Sequence, residues 1–318
     1  MKGRRRPRLS FVWLQACSGC EISLLNSGER LPDLLNKVEI VYFPLLMDRK
    51  CGGEGEFDLP EADVGFVSGS VSSDEHLTLL YALRRRCRTL VSFGTCATHG
   101  GIPALRNRWS AEATLETVFP GTPGQPALPA EVPALLDRVY SVDEKVRVDF
   151  CLPGCPPHPE AIAAVIETLV TGERPRLPGK SVCETCPTIR TGEMHRTVRR
   201  FLNNAEYNSE EPVERMRCLL EQGLLCMGPV TVGGCGGPAT PLCVQARVPC
   251  RGCYGPVRSE GNQLLDMLNV LASHGVDHRS IVDRQSLLRF SGAHGLLRSV
   301  RKTEGVVLMS EKGNKKPS

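Results

Sequence analysis

The chain has 318 residues, a length that fits one large domain or two ordinary ones. Charged residues make up 23% of it and the formal net charge is +4, so its bulk charge does not indicate nucleic-acid binding. Aromatic residues are only 5%, which leaves little surface for stacking bases. No apolar run approaches the ~18 residues of a membrane-spanning helix, so we expect no membrane span.

The N-terminus carries a run of arginines, Arg4, Arg5, Arg6 and Arg8. An export signal would place an apolar stretch of about 7–15 residues after such a run, followed by a small-residue cleavage site. Here the apolar run at residues 11–14 is short and leads directly to Cys17. We therefore expect a solvated tail on a cytoplasmic protein.

Short β-rich runs alternate with helical stretches through the first half of the chain. Strands are predicted at residues 11–15, 38–43, 64–69, 89–93 and 146–150, and helices at residues 21–29, 74–86 and 160–170. Alternation at this spacing predicts a flavodoxin-like, doubly wound parallel sheet. Residues 118–133 are rich in Pro and Gly, which predicts a surface loop.

The pattern changes from about residue 171, where Pro, Gly and Cys dominate. We place a domain boundary near Pro175, with the flavodoxin-like domain at 1–175 and an irregular, loop-rich domain at 176–318. A domain with little regular structure and many cysteines is stabilised best by bound metal. The apolar segment at residues 264–271 is expected to pack internally, and the lysine-rich end at 310–318 is expected to be disordered.

The chain has 15 cysteines, which in a reducing compartment indicate metal or redox chemistry rather than disulfides. Cys17, Cys20, Cys96 and Cys155 each follow a predicted strand. The loops at the carboxyl edge of a parallel sheet form one crevice, so these thiols are expected to converge there. Four thiolates suit a zinc ion or a 4Fe–4S cluster. Glu21, at a predicted helix start, is favoured there by the helix dipole, and a proton-relay role is the alternative.

Eight more cysteines lie in Gly- and Pro-rich turns of the second half: Cys183, Cys186, Cys218, Cys226, Cys235, Cys243, Cys250 and Cys253. Eight thiolates are the number required by two four-cysteine clusters. Zinc ribbons also use paired CxxC motifs, so spacing alone leaves the metal open. Iron–sulfur is favoured because the first crevice makes a third site, and three sites in one chain suggest a path for electrons.

Six motifs, taken together, resemble the small subunit of nickel–iron hydrogenases. They are WLQACSGCE, VSGSV, SFGTCATHGGIPAL, LPGCPPHPE, CLLEQGLLCMGPVT and PCRGCYGP, and they span residues 13–256. Within that family the chain looks most like the cytoplasmic, methyl-viologen-reducing and deazaflavin-non-reducing type.

The resemblance implies three groups of cluster ligands. The proximal set is Cys17, Cys20, Cys96 and Cys155; the distal set is Cys183, Cys186, Cys218 and Cys226; the medial set is Cys235, Cys243, Cys250 and Cys253. Better-known relatives have a histidine where this chain has Cys183 and a proline where it has Cys243. A fourth thiolate favours a cubane over a 3Fe–4S cluster, so the resemblance implies three 4Fe–4S clusters with cysteine ligands alone.

The resemblance also implies partners. It makes the chain a subunit of an oxidoreductase acting on hydrogen, with the nickel–iron site on a large subunit and none in this chain. Electrons would pass to a flavin- or iron–sulfur-containing acceptor subunit. Relatives often carry glutamate where this chain has Ser68, which argues against proton handling at that position. Cys51, Cys87 and Cys151 are expected to be structural thiols.

Two alternatives stay open from the sequence. One is an iron–sulfur subunit of a complex-one-like oxidoreductase, a family that shares the N-terminal half but lacks the eight-cysteine part. The other is a zinc-stapled interaction module without redox function.

Overall fold

The computed structural model describes residues 5–48, 57–120, 132–173, 179–199, 202–236, 240–258, 261–281, 287 and 289–292. The strands are β1 (Arg8–Trp13), β2 (Glu39–Tyr42), β3 (Ala62–Ser68), β4 (Val71–Ser73), β5 (Cys87–Phe93), β6 (Leu135–Tyr140) and β7 (Phe150–Leu152). The α-helices are α1 (Gly19–Leu25), α2 (Arg30–Lys37), α3 (Asp74–Arg86), α4 (Thr95–His99), α5 (Ala111–Val118), α6 (Pro159–Thr171), α7 (Val182–Thr185), α8 (Leu242–Gln245) and α9 (Gln263–Ser273). Short 3₁₀ helices lie at Pro103–Arg108, Val142–Glu144, Leu202–Asn204, Val213–Arg215, Gly228–Val230 and His278–Ser280.

A five-stranded parallel sheet in the order β2-β1-β3-β5-β7 forms the centre of the first half. Numbered among themselves, these strands follow the order 2-1-3-4-5 that is typical of flavodoxin-like folds. The predicted α/β class with a doubly wound parallel sheet is confirmed. In such a sheet the order reverses beside β1, and the crevice for ligands opens at the carboxyl ends of β1 and β3.

Each central strand contributes side chains to two cores, because successive residues of a strand point to opposite faces. Phe11, Phe66 and Phe93 lie on one face with the buried sides of α1, α2 and α6. The Phe11 and Phe66 rings stack with their centroids 4.7 Å apart. Val12 and Val67 lie on the other face, with α3 packed over them. Burial on both faces explains the nearly continuous apolar runs of these strands.

The predicted helix at residues 74–86 matches α3, and the helix at 160–170 lies within α6. The predicted helix at 21–29 is too long, since α1 ends at Leu25. The strand predicted at 146–150 is also misplaced, because β7 begins at Phe150. Just before it, the Asp149 N–H still donates to the Leu90 carbonyl (3.0 Å), but the Leu90 N–H donates to the Asp149 carboxylate (2.9 Å) instead of a backbone carbonyl. Arg84 donates to the same carboxylate at 2.7 Å.

Some elements do not follow from the sequence pattern. Helices α2 and α5 were not predicted, and neither was a small antiparallel sheet in which β4 pairs with β6. Strand β4 has only three residues, too few for an alternating pattern to be recognised. The predicted loop at 118–133 begins at the end of α5, and residues 121–131 lie outside the described residues.

The second half is held by a separate core around α9. Leu264, Met267 and Leu271 are buried on one face of this helix and pack with Val182 and Met227. The predicted internal packing of residues 264–271 is confirmed. The boundary proposed near Pro175 and the tail at 310–318 lie outside the described residues. Among the described residues, no helix is long and apolar enough to cross a membrane.

Phe66→Ala should lower the free energy of unfolding by about 3–5 kcal/mol, because the substitution leaves a cavity between Phe11, which stacks on the ring, and Phe93, which packs edge-on. The Phe66 side chain is fully buried. Denaturant titration of the purified chain measures the effect. Tyr81→Ala, on the exposed side of α3, is the matched control and should stay within about 0.5 kcal/mol of wild type. Equal losses in both variants would contradict the assigned core.

Candidate metal centres

The proximal set lies at the carboxyl edge of the parallel sheet. Cys17 and Cys20 follow β1, with Cys20 inside α1; Cys96 lies in α4 after β5; and Cys155 follows β7. Burial raises the pKa of Cys96 to about 12, and the nearby Cys155 and Cys17 thiols contribute to the rise. Burial also raises the pKa of Cys20, with contributions from Glu21, Cys96, Cys155 and Cys17. The fold thus brings together four thiols that are far apart in the sequence.

At two glycines beside these thiols the backbone lies so close to a sulfur that a Cβ atom would not fit. Gly94 has φ +84°, and a Cβ added there would collide with the Cys20 sulfur. Gly101 has φ +55°, and its Cβ would stand 2.7 Å from the Cys96 sulfur. Both glycines therefore permit a positive φ and a close approach of backbone to sulfur. Close backbone around a group of thiols fits an iron–sulfur cluster, whose sulfurs are tuned by nearby amides.

The distal set lines a single cavity. Cys183, Cys186, Cys218 and Cys226 all contribute to its wall, together with Thr188 and Arg190. Burial raises the pKa of Cys183 to about 12, Cys226, Cys218 and Cys186 add to the rise, and Arg190 opposes it. A Cβ on Gly228 would stand 3.1 Å from the Cys183 sulfur and 3.5 Å from that of Cys226. Four thiols on one wall suit a four-cysteine cluster.

The medial set lies between the other two. Burial raises the pKa of Cys253, and the Cys235, Cys243 and Cys155 thiols contribute to the rise. Burial likewise raises the pKa of Cys250, and Cys226, Cys253 and Cys243 contribute. Cys243 therefore stands among the other three thiols of its set.

Neighbouring sets touch at two places. The hydroxyl of Thr95, the residue before Cys96, donates a hydrogen bond to the carbonyl oxygen of Cys253 at 2.7 Å, which joins the proximal and medial sets. The Cys250 N–H donates to the Cys226 sulfur at 3.3 Å, which joins the medial and distal sets. The order along the molecule is thus proximal, medial, distal, although the distal set precedes the medial set in the sequence.

Within the part of the chain that the structure describes, no group of three or more His, Cys, Asp or Glu side chains is arranged to hold a metal ion. The fit to iron–sulfur clusters therefore rests on the grouping of thiols by fours, their burial and the close backbone around them.

Glu21 and Ser68 form a buried pair that the sequence pattern does not predict. The Ser68 hydroxyl donates to Glu21 Oε1, and both side chains are almost fully buried. Glu21 Oε2 has no hydrogen-bond partner among the described residues. Burial raises the pKa of Glu21, and the Ser68 hydrogen bond partly offsets the rise. Glu21 is thus a buried carboxyl next to Cys20 of the proximal set. The helix dipole alone does not account for its burial or for its hydrogen bond with Ser68.

The remaining cysteines lie apart from the three sets or outside the described residues. Cys87 is buried at the start of β5, against Gly65, and burial raises its pKa. Cys151 lies half-buried in β7. Cys51 lies outside the described residues. The structural role expected of all three stays a prediction.

Comparison with known proteins separates the alternatives. A component of the vhu F420-non-reducing hydrogenase of Methanococcus voltae is 37% identical over 286 residues, which cover 89% of this chain and 93% of that protein. The corresponding component of the F420-non-reducing hydrogenase of Methanothermobacter marburgensis is 35% identical over 286 residues, or 88% of this chain and 89% of the relative. The chain belongs to the family of hydrogenase small subunits. It is an iron–sulfur subunit of an oxidoreductase that acts on hydrogen.

Other matches cover the first half of this small subunit. The family described as NADH ubiquinone oxidoreductase, 20 Kd subunit, matches residues 17–169. A chain in the crystal structure of an NAD+-reducing NiFe hydrogenase in the H2-reduced state aligns with a TM-score of 0.50 and 36% identity, over 55% of this chain and 96% of that one. The match to the complex-one subunit family therefore lies in the first half of the chain, as the sequence predicts. The matches to the two hydrogenase relatives above extend over both halves.

Gly101→Ala should lower the iron content of the purified subunit, because the added Cβ would stand 2.7 Å from the Cys96 sulfur. Iron and acid-labile sulfide assays measure the loss. Gly28→Ala is the matched control: its φ of +58° imposes similar backbone strain, but nothing lies within 4 Å of the added atom. Iron content that falls equally in both variants would contradict the role of close packing at Cys96.

Proposed function

We propose that this small subunit conducts electrons from H2 oxidation at a nickel–iron large subunit, through three 4Fe–4S sites, to a flavin- or iron–sulfur-containing acceptor subunit. The proximal, medial and distal sets would each hold one cluster. When bound, a 4Fe–4S cluster accepts and donates electrons one at a time. The single observation that carries the proposal is the order of the three thiol sets: a hydrogen bond from Thr95, beside Cys96, reaches Cys253, and a hydrogen bond from the Cys250 N–H reaches the Cys226 sulfur.

The chain's own residues do three things in this scheme. The twelve cysteines would provide the ligands, and the buried amides beside them would stabilise negative charge on sulfur. The apolar cores around the parallel sheet and α9 keep the thiols at fixed positions. We also propose that the first half, 1–175, holds the proximal site and that 176–318 holds the other two, with the family match at residues 17–169 in support.

The proximal set is the one we assign to the large-subunit interface. Cys17 and Cys155 are exposed, whereas Cys226 and Cys250 are buried. Trp13, Ile22 and Ile102 lie in the sequence close to proximal cysteines, and each is more than 40% exposed. Exposed apolar side chains around a functional site are typical of a protein–protein interface.

A cytoplasmic location is part of the proposal. The described cysteines are free thiols, and a reducing compartment keeps thiols available for iron.

Metal analysis tests the proposal against a zinc-stapled module. Three cubanes require about twelve iron and about twelve sulfide per chain after anaerobic purification. Stoichiometric zinc without sulfide would overturn the proposal. Copurification with a nickel-containing large subunit is expected, and robust dye reduction with H2 by the isolated chain would contradict the assignment of the nickel site to a partner.

Ile22→Glu should reduce the amount of nickel-containing large subunit that copurifies, because a charge would be buried in the proposed apolar interface. Ile22 is 45% exposed. The control is Tyr81→Glu, a similarly exposed position on α3, which should leave copurification unchanged. Nickel content and subunit ratio of the affinity-purified complex measure the difference. Equal recovery of the large subunit with both variants would show that it does not bind at the face that contains Ile22.

Cys17→Ala or Cys155→Ala should abolish hydrogen-dependent viologen reduction by the assembled complex even when the large subunit contains nickel. Each substitution removes one thiolate from the site proposed to receive electrons first. Cys87→Ala, which removes a buried thiol outside the three sets, should leave the rate near that of wild type. Near-normal rates in the Cys17 and Cys155 variants would contradict the proposed order of sites.

Cys243→Pro should convert the medial site to a 3Fe–4S type. Cys243 lies in the first turn of α8, where a proline does not remove a helical hydrogen bond. Wild type oxidised mildly should show no strong 3Fe–4S signal by electron paramagnetic resonance, whereas the variant should show one and deliver electrons more slowly to low-potential acceptors. An unchanged spectrum and an unchanged rate would show that Cys243 is not a ligand.

A further inference from the structure

Thr95 occupies the junction between the proximal and medial sets. It is the first residue of α4, directly before Cys96, and its side chain is 1% exposed. Its hydroxyl oxygen accepts a hydrogen bond from the Gly154 N–H at 2.9 Å, next to Cys155. The same hydroxyl donates to the carbonyl oxygen of Cys253 at 2.7 Å, and this bond connects residues 158 positions apart.

The hydroxyl is suited to link these two loops because it donates one hydrogen bond and accepts another at the same time. The Thr95 N–H also donates to the Gly154 carbonyl at 2.9 Å, which holds the Cys155 loop from a second atom. Thr95 thus hydrogen-bonds to both the loop of Cys155 and the loop of Cys253, at the junction between the proximal and medial sets.

Valine at position 95 has nearly the same shape as threonine and would fill the same space, but it could neither donate nor accept these hydrogen bonds. The Gly154 N–H would lose its acceptor and the Cys253 carbonyl would lose its donor, and buried backbone groups without partners are unfavourable. The loops would then be free to separate so that other groups or water satisfy them. The distance between the Cys155 loop and the Cys253 loop would increase as a result.

We propose that Thr95 is a positioning residue for electron transfer between the proximal and medial sites. Its hydroxyl holds the Cys155 and Cys253 loops together, and it touches no reacting group itself. This inference rests on the proposed function, since it requires both sites to be loaded.

The experiment compares Thr95→Val and Thr95→Ser in the intact complex with the large subunit. Iron and sulfide content is measured first. Electron paramagnetic resonance of the reduced complex then reports the magnetic interaction between the two sites, and samples frozen at intervals after mixing with H2 report how fast the medial site is reduced. Loss of an outer hydrogen-bond partner of metal ligands costs about 10–100-fold in affinity or activity. We expect medial reduction in Thr95→Val to slow within that range, with weaker magnetic interaction, and Thr95→Ser to restore both.

Thr98→Val is the matched control. Thr98 is also buried in α4, but its hydroxyl bonds to Thr95 O (3.5 Å) and His99 Nδ1 (2.8 Å) within the same helix and reaches neither loop. It should leave the magnetic interaction and the rate unchanged. A Thr95→Val complex with full iron, wild-type rate and unchanged magnetic interaction overturns the positioning role.

Failure to load the clusters is also informative. Loss of proximal and medial iron in Thr95→Val alone, with Thr95→Ser and Thr98→Val loaded, supports the role, because the hydroxyl is then required to keep the two loops in place. Loss of iron in all three variants indicates a general weakness of α4 and overturns the specific role. Absence of iron–sulfur clusters from the wild-type complex overturns the proposed function. If the clusters are present and Thr95→Val changes neither the magnetic interaction nor the rate of medial reduction, only the positioning role is overturned.

Discussion

The burial of thiols beside one another is the physical constraint on which the rest of this structure depends. Removal from water and the proximity of other thiols both disfavour the thiolate, and both raise the pKa of cysteines in each of the three sets. Iron binds the thiolate form of cysteine. The positive charge of iron must therefore offset the free-energy cost that burial and repulsion between thiolates add to deprotonation. Metal binding and folding are therefore expected to be coupled at these sites.

That coupling matters most in the second half. Apart from α9, its described helices are only three or four residues long, and its core is small. Much of the chain there consists of turns that hold cysteines close to glycine backbone, as Gly228 does at Cys183 and Cys226. A segment of this kind gains little from regular hydrogen bonding, so the proposed clusters would supply much of its stability.

The first half solves the same problem with a different scaffold. Its parallel sheet has two apolar faces and a fixed strand order, so the loops after β1, β5 and β7 meet at one edge. The exposed Cys17 and Cys155 lie at that edge. This division lets one chain combine the exposed thiols of the proximal set with buried thiols of the medial and distal sets. The relatives that match only the first half are consistent with a scaffold that holds its site independently.

The sequence alone determined the class of fold and the composition of the candidate sites. The apolar strands, the helix at 74–86 and the α9 segment depend on residues close together in the chain, so their patterns are readable locally. The assignment of twelve cysteines to three sets came from motif resemblance, and the structure groups their thiols in the same way without testing ligation. Only the tertiary structure decided the contacts between distant segments. Ser68 meets Glu21 across 47 residues, and Thr95 meets Cys253 across 158, because strand order and loop packing bring them together. The pairing of the three-residue β4 with β6 arises in the same way, from a fold that places an otherwise unremarkable segment next to its partner.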